Sequence, residues 1–451
     1  METRRPIPRA ILIGVQVAGV DDVAYAASIE ELGRLVKTLG YEVVGTVSQK
    51  RDEIDGATVL GKGRLEELAA MTGGTGVVGS MAIPRKSKAR ERFEDVDAKP
   101  NVRKMELDPK PTNAEFVIVD YEISPNQARN LERATGAQVL DRTGVIVEIF
   151  HRHAHSREAK LQVEMARLQY IAPRLRESSA AGERRQGYGA GESDLELNRR
   201  KIRDRLAELK EQLDDIQRDN DERRSARGDQ LRVALVGYTN AGKSSLMRAL
   251  TRSEVLVADK LFATLDTTVR SLHPEAKPRV LVSDTVGFIK KLPHDLVASF
   301  RSTLAEALEA SLLLFVVDAS DPTYESQLEV SCSVLREIGA DAVPSRLLLN
   351  KIDRVSDVDR ATLRARHPDA ILLSAMSPAD VAALREAIIT FFEAAMVEDQ
   401  LVLPYAKQGL LNDIYENARV LSENYDITGR IMKVRGLPGA IARLRRALAP
   451  S

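Results

Sequence analysis

Gly237-Tyr238-Thr239-Asn240-Ala241-Gly242-Lys243-Ser244 has the residue types and spacing to hold phosphate. The two glycines of a GxxxxGK[ST] run let backbone N–H groups turn toward one anion, and a helix N-terminus adds partial positive charge. In this pattern Lys243 reaches the β- and γ-phosphates and the Ser244 hydroxyl holds Mg2+. The pattern carries that meaning only between a strand and a helix. Residues 231–236 (LRVALV) form an apolar run rich in β-branched residues and read as a buried parallel strand, and Ser245 opens a helical stretch over 245–250.

Four further segments extend the chemistry. Phe262-Ala263-Thr264-Leu265-Asp266 is a polar stretch with a threonine suited to Mg2+ and the γ-phosphate; Thr264 is the first choice and Thr268 the second. Asp284-Thr285-Val286-Gly287 follows a strand over 280–283, where Asp284 would bind Mg2+ through water and the Gly287 N–H would sense the γ-phosphate. Lys243, Thr264 and Gly287 form the expected catalytic set. Asn350-Lys351-Ile352-Asp353 follows a strand over 346–349. Asp353 can accept from guanine N1 and the exocyclic amine, a pair adenine cannot donate, while Lys351 stacks along the base and Asn350 holds the loop. Ser374-Ala375-Met376, after a strand over 371–373, offers a backbone N–H to guanine O6. Four elements in this order, each at the carboxyl end of a strand, predict a guanine-nucleotide domain over 228–398 with a central buried strand at 312–317. Phe288 stands where many such domains carry a water-orienting glutamine. A phenyl ring cannot do that, so unassisted hydrolysis is expected to be slow, and a packed core role for this residue is not expected in such a loop.

The 451 residues suffice for about three domains. The net formal charge is zero, so a nucleic-acid surface must be local, and Cys332 is the lone cysteine, which fits a reducing compartment. Neither a spanning apolar run nor an apolar signal core is legible, so a cytoplasmic location is expected. Residues 1–150 read as a small α/β layer: strands at 10–17, 42–47 and 114–120, helices at 23–39, 65–71 and 125–135, the last capped by Ser124 with Pro125 first. The Gly61-Lys62-Gly63-Arg64 turn reads as a helix start. Residues 84–111, charge-rich and punctuated by prolines, read as an insertion, and 139–150 as a strand pair or a strand followed by a turn.

Residues 158–176 and 193–224 read as amphipathic helices. Leu195, Ile202, Leu209 and Ile216 recur every seven residues with Leu206 and Leu213 between them, a coiled-coil seam. Together the helices predict an antiparallel hairpin within 151–227 whose glycine-rich tip, 182–192, carries Arg184, Arg185 and Tyr188, types suited to RNA phosphates and unstacked bases. His151, His153 and His155 alternate along what reads as one strand face, a polar patch more than a metal site. The last part, 399–451, reads as a small α+β appendage: a strand at 401–404, a helix at 407–422, a strand at 429–434 and a basic helix at 438–448.

The motifs GYTNAGKSSL from Gly237, LFATLD from Leu261, DTVGFIKKLPHDLVASF from Asp284 and NKID from Asn350 resemble the HflX GTPases, a branch of the translation-factor-related P-loop GTPases. So do EVVGTVSQKRD, GKGRLEEL, ISPNQARNLE, VLDRTGVIVEIFHRHAHSREAKLQVEMARLQY and RRQGYGAGE, so the resemblance covers nearly the whole chain. It implies a GTP hydrolase, using Mg2+, that binds the large ribosomal subunit and its RNA through the hairpin tip and dissociates stalled or stress-arrested ribosomes. Off the ribosome a monomer is expected, with the ribosome supplying the stimulus for hydrolysis. The tip GYGAGESDLE is shorter than the family's usual glycine-proline loop, and the 84–111 insertion is of a kind associated with mycobacterial and related members. Thr267 replaces a common proline, and SAM stands for SAK. The alternative reading is a GTP-dependent switch that docks a protein partner on the hairpin.

Overall fold

The computed structural model describes residues 7–78, 112–179, 194–225, 230–253, 261–262, 267–291, 305–427 and 429–449. The 84–111 insertion and the tip residues Arg184, Arg185 and Tyr188 lie outside them. Two compact units are formed, Met1–Glu148 with Tyr170–Leu195, and Ile149–Gln169 with Glu196–Ser451.

In the first unit β1 (Arg9–Gln16), β2 (Glu42–Lys50), β3 (Phe116–Val119) and β4 (Gln138–Asp141) form a parallel sheet in the order β2-β1-β3-β4. The helices α1 (Asp22–Thr38), α2 (Lys62–Thr72) and α3 (Pro125–Thr135) connect and cover it. Local chemistry sets their starts. Asp21 accepts from the Ala24 N–H, and Ser124 with Gln127 forms a reciprocal capping box ahead of Pro125. Lys62, Gly63 and Arg64 already lie in the first turn of α2, with Gly61 as its cap. Ile11, Ile13, Leu65, Val117 and Leu131 meet in the core between these layers.

The segment after β4 corrects the sequence reading. Residues 142–150 are not a second strand or a turn but the body of a helix, α4 (Arg142–His153). Asp141 decides this: its carboxylate accepts the Gly144 N–H at 2.8 Å, an N-cap bond that outweighs the β preference of Val145, Ile146 and Val147. Those three side chains and Ile149 and Phe150 are all buried, which explains why no helical period is legible. His151 and His153 therefore sit about 200° apart on a helix, not on one strand face. His153 Nδ1 lies 2.8 Å from the Ile149 carbonyl, and among the described residues no His, Cys, Asp and Glu cluster could hold a metal.

α4 begins with Arg142, 1% exposed, which donates to Asp120 Oδ1 at 2.8 Å and also bonds Glu31. Ser28 Oγ donates to the other Asp120 oxygen at 2.6 Å. Asp141, fully buried, further accepts from Tyr170 Oη at 2.8 Å and Arg174 at 2.7 Å, both on α5 (Arg157–Ser179). In the second unit the long helix α6 (Asp194–Ser225) is clipped to α5 by a two-pronged pair, Arg205 Nε and Nη2 to the two oxygens of Glu164 at 2.8 and 3.0 Å. Leu209, at the centre of the heptad seam, is buried.

The second unit holds a six-stranded sheet, β10-β9-β8-β5-β7-β6. Its members are β5 (Leu231–Val236), β6 (Thr268–Ser271), β7 (Val280–Asp284), β8 (Leu312–Asp318), β9 (Ser345–Asn350) and β10 (Ile371–Leu372). Only β6 runs antiparallel, against β7. Because β5 and β8 are central and apolar on both faces, their carboxyl ends open side by side onto one edge. The helix α7 (Lys243–Thr251) and the helix Pro378–Ala394 seal one face through Leu246, Leu250, Leu384 and Ile388.

At the carboxyl end of the chain β11 (Val397–Pro404), β12 (Ala418–Asp426) and β13 (Gly429–Gly436) form an antiparallel sheet in the order β11-β13-β12. The expected helix over 407–422 is corrected. A 3-10 turn Tyr405–Leu410 and a short helix Leu411–Asn417 give way to β12, which pairs with β13 from Ala418↔Gly436 to Asp426↔Gly429. The ladder with β13 overrides a helical pattern that is legible only locally. Among the described residues no helix is long and apolar enough to cross a membrane.

Candidate functional site

The site gathers at the carboxyl ends of β5, β7, β8, β9 and β10. β5 delivers the chain into a turn that only glycine permits. Gly237 has φ +142°, and a Cβ there would come 2.2 Å from the Val316 carbonyl oxygen; at Gly242 (φ +99°) it would come 2.2 Å from Asn350 Nδ2. Between them Tyr238, Thr239 and Ala241 are buried, and Asn240 takes a left-handed φ of +60°. Ser245 continues α7 behind Ser244.

Lys243 is 6% exposed, and its ammonium donates to the Gly237 and Tyr238 carbonyls at 3.0 and 2.9 Å. Burial pulls its pKa down to about 8, against the upward pull of the Asp284 charge. Ser244 Oγ donates to Asp284 Oδ2 at 2.6 Å. A hydroxyl and a carboxylate side by side are hard oxygen donors, the set a Mg2+ ion accompanied by phosphate requires.

The segment after β7 is bound to the phosphate loop by two backbone hydrogen bonds. The Thr239 N–H donates to the Phe288 carbonyl at 2.8 Å and the Phe288 N–H to the Gly237 carbonyl at 3.1 Å, while Tyr238 Oη accepts the Lys290 N–H at 2.7 Å. Gly287 faces Thr239 and Lys243 so closely that a Cβ would come 2.8 Å from Thr239 Cα and 3.0 Å from Lys243 Nζ. Thr285 is turned inward, its hydroxyl donating to the Leu235 carbonyl at 2.7 Å, and Val286 is buried. Phe288 corrects an expectation. It is 2% exposed, a packed residue, because its backbone is paired with β5's extension and its ring follows that pairing inward.

Asn350 joins two loops. Its Nδ2 donates to the Ala241 carbonyl at 2.8 Å, and its Oδ1 accepts the Ala375 N–H at 3.1 Å. Lys351, at φ +60°, extends its ammonium to the Asn240 carbonyl and to Asp318 Oδ2, both at 2.7 Å. Asp318, the last residue of β8, is a site member the sequence reading missed; a carboxylate ending the run LLLFVVD is the signal that points to it. Asp353 stands exposed in the 3-10 turn Ile352–Arg354, whose Ile352 packs inward. The Ser374 loop is set by Asp380, which accepts the Ser374 N–H at 2.8 Å, and Met376 is 78% exposed beside it.

Leu261 and Phe262 are buried, and Phe262 packs edge-on against Phe150 at 4.6 Å between ring centroids. Thr268, the second-choice threonine, opens β6 opposite Asp284. Ala263, Thr264, Leu265 and Asp266 lie outside the described residues.

Residues 26–86 and 90–151 match the family described as GTP-binding GTPase N-terminal, and residues 153–227 the GTP-binding GTPase middle region. Residues 232–351 match a family described as 50S ribosome-binding GTPase. The GTPase HflX of Gluconacetobacter diazotrophicus is 74% identical over 450 residues, 100% of each chain. That of Escherichia coli is 38% identical over 330 residues, 71% of this chain and 78% of its own. A GTP-binding protein from the archaeon Sulfolobus solfataricus, solved with GDP, aligns over 85% of this chain and 98% of its own at 22% identity and a TM-score of 0.44. With a relative 74% identical along its whole length, the chain belongs to the HflX family of GTPases.

Proposed function

We propose that the pocket around Gly237–Ser244 binds GTP with Mg2+, and that its hydrolysis is coupled to binding the large ribosomal subunit and separating the subunits of stalled or stress-arrested ribosomes in the cytoplasm. The observation that carries the nucleotide assignment is the pair of hydrogen bonds made by Asn350, one donated to the Ala241 carbonyl and one accepted from the Ala375 N–H, which ties the two loops together. In this reading Lys243 leaves its two carbonyl partners for the β- and γ-phosphates, and the N–H groups at the start of α7 add their dipole. Ser244, Asp284 through water, and Thr264 would hold Mg2+, which would supply positive charge against the phosphates. Asp353 reads the guanine edge, the Ala375 region meets O6, and the Gly287 N–H meets the terminal phosphate. The slow intrinsic rate follows from Phe288, whose buried ring leaves that position without a group to orient water.

The ribosomal part is supported by the description of the family matched over 232–351 and by the basic tip residues Arg184 and Arg185 with Tyr188, as contacts for ribosomal RNA. Off the ribosome the protein acts as a monomer in this reading. GTP turnover by purified protein, with and without large subunits, tests it. Strong stimulation and a shift of sedimenting ribosomes toward free subunits are expected. Unchanged turnover and an unchanged profile, with GTP still bound, would refute the ribosomal role and favour a protein partner on the hairpin.

A further inference from the structure

We propose that the Thr239 hydroxyl hydrogen-bonds the terminal phosphate of GTP and sets the preference of this pocket for the triphosphate over GDP; this rests on the nucleotide assignment above. Thr239 is 6% exposed, yet its Oγ1 has no hydrogen-bond partner among the described residues. A buried hydroxyl without a partner is costly, and one retained at a functional site calls for an external acceptor. Its backbone cannot play that part, because the Thr239 N–H is already spent on the Phe288 carbonyl at 2.8 Å. The side chain is what Thr239 has left to offer a ligand.

The direction of the site follows from Gly287. A Cβ there would meet Thr239 Cγ2 at 2.8 Å and Lys243 Nζ at 3.0 Å, so the branched end of Thr239, the ammonium and Gly287 converge on one small space. The hydroxyl sits on the same β-carbon as that methyl. Under the nucleotide assignment this space receives the terminal phosphate, which GDP lacks. A rotation about the Cα–Cβ bond brings the hydroxyl to where the methyl stands, and a neutral donor on an anionic oxygen forms a charge-assisted bond. The buried Phe288 side chain has no polar group to offer a phosphate.

Affinities of the full chain for GDP and for a non-hydrolysable GTP analogue, compared across Thr239→Val, Thr239→Ser and wild type, test this. T239V keeps the shape and removes the hydroxyl. Its affinity for the analogue should fall roughly tenfold, the size of one bond to a charged group, while GDP affinity stays within about twofold and so reports an intact loop. T239S should restore the analogue affinity. An unchanged preference in T239V, equal weakening of both nucleotides, or failure of T239S to restore it would each overturn the proposal. Absence of GDP binding by wild type is a separate outcome, and it would sink the nucleotide assignment itself.

Discussion

Asn350 and Ala241 are joined across the carboxyl edge of the sheet by a 2.8 Å hydrogen bond, so the end of β9 holds the middle of the phosphate loop. The contact is tight enough that Gly242 has no room for a side chain beside it. Asn350 is 1% exposed, and its amide oxygen accepts the Ala375 N–H. Asn350→Ala therefore frees two loops at once. Nucleotide affinity, read with a fluorescent GDP analogue, should weaken by at least about tenfold, and stability should drop by roughly 1–3 kcal/mol, the cost of leaving buried partners unmade. Wild-type affinity in this variant would show that the loop holds its shape without the staple.

The buried ammonium of Lys243 makes nucleotide binding depend on pH. Its folded pKa of about 8 lies below the ordinary 10.5. Between those values the unfolded chain holds more protons than the folded one, so this group's contribution to stability rises with pH through that window. Below it, the folded protein bears the charge at a desolvation cost. A phosphate beside the ammonium, as proposed, would restore the proton. Calorimetric titration with GDP at pH 8.5 in buffers of different ionisation enthalpy should show uptake of more than roughly half a proton, and close to none at pH 7. Equal proton uptake at the two pH values would contradict the assignment of Lys243 to the phosphates.

Asp353 is exposed and its carboxylate is open to a base. Asp353→Asn should weaken GTP binding roughly ten- to a hundredfold while improving binding of xanthosine triphosphate. Xanthine carries a carbonyl where guanine has its amine, and an amide can donate to it. Competition between the two nucleotides checks this, and an unaltered preference would remove Asp353 from the base pocket.

Arg142 holds two buried carboxylates, Asp120 and Glu31, in the first unit. Arg142→Ala removes the buried guanidinium that both carboxylates share, and a loss of roughly 3–5 kcal/mol in denaturant unfolding is expected. The Arg205–Glu164 clip, with side chains 39 and 42% exposed, should by contrast contribute about 0–1 kcal/mol. If Arg142→Ala cost no more than Arg205→Ala, the network would be a by-product of packing rather than a determinant of it.

The sequence by itself determined the parts of this protein whose chemistry is local. GxxxxGKS needs its glycines, its lysine and its serine wherever it occurs, and a strand ahead and a helix behind are written in adjacent residues. Ser124 with Gln127 and Pro125 announced α3 in the same way, and the helical spacing over 193–224 announced α6, on which Leu209 is buried. Tertiary structure alone decided what depends on partners far along the chain. Residues 142–150 became a helix because Asp141 caps it and because every side of it is packed, which hides the period. β12 became a strand because β13 was there to pair with it. Phe288 turned inward once its backbone joined Gly237 and Thr239, and Asp318 entered the site when the sheet order set β8 beside β9 and brought Lys351 within 2.7 Å. Motif residues are legible one by one because their chemistry is their own; burial and pairing are properties of two segments at once, and a single segment does not encode which other one will be its neighbour.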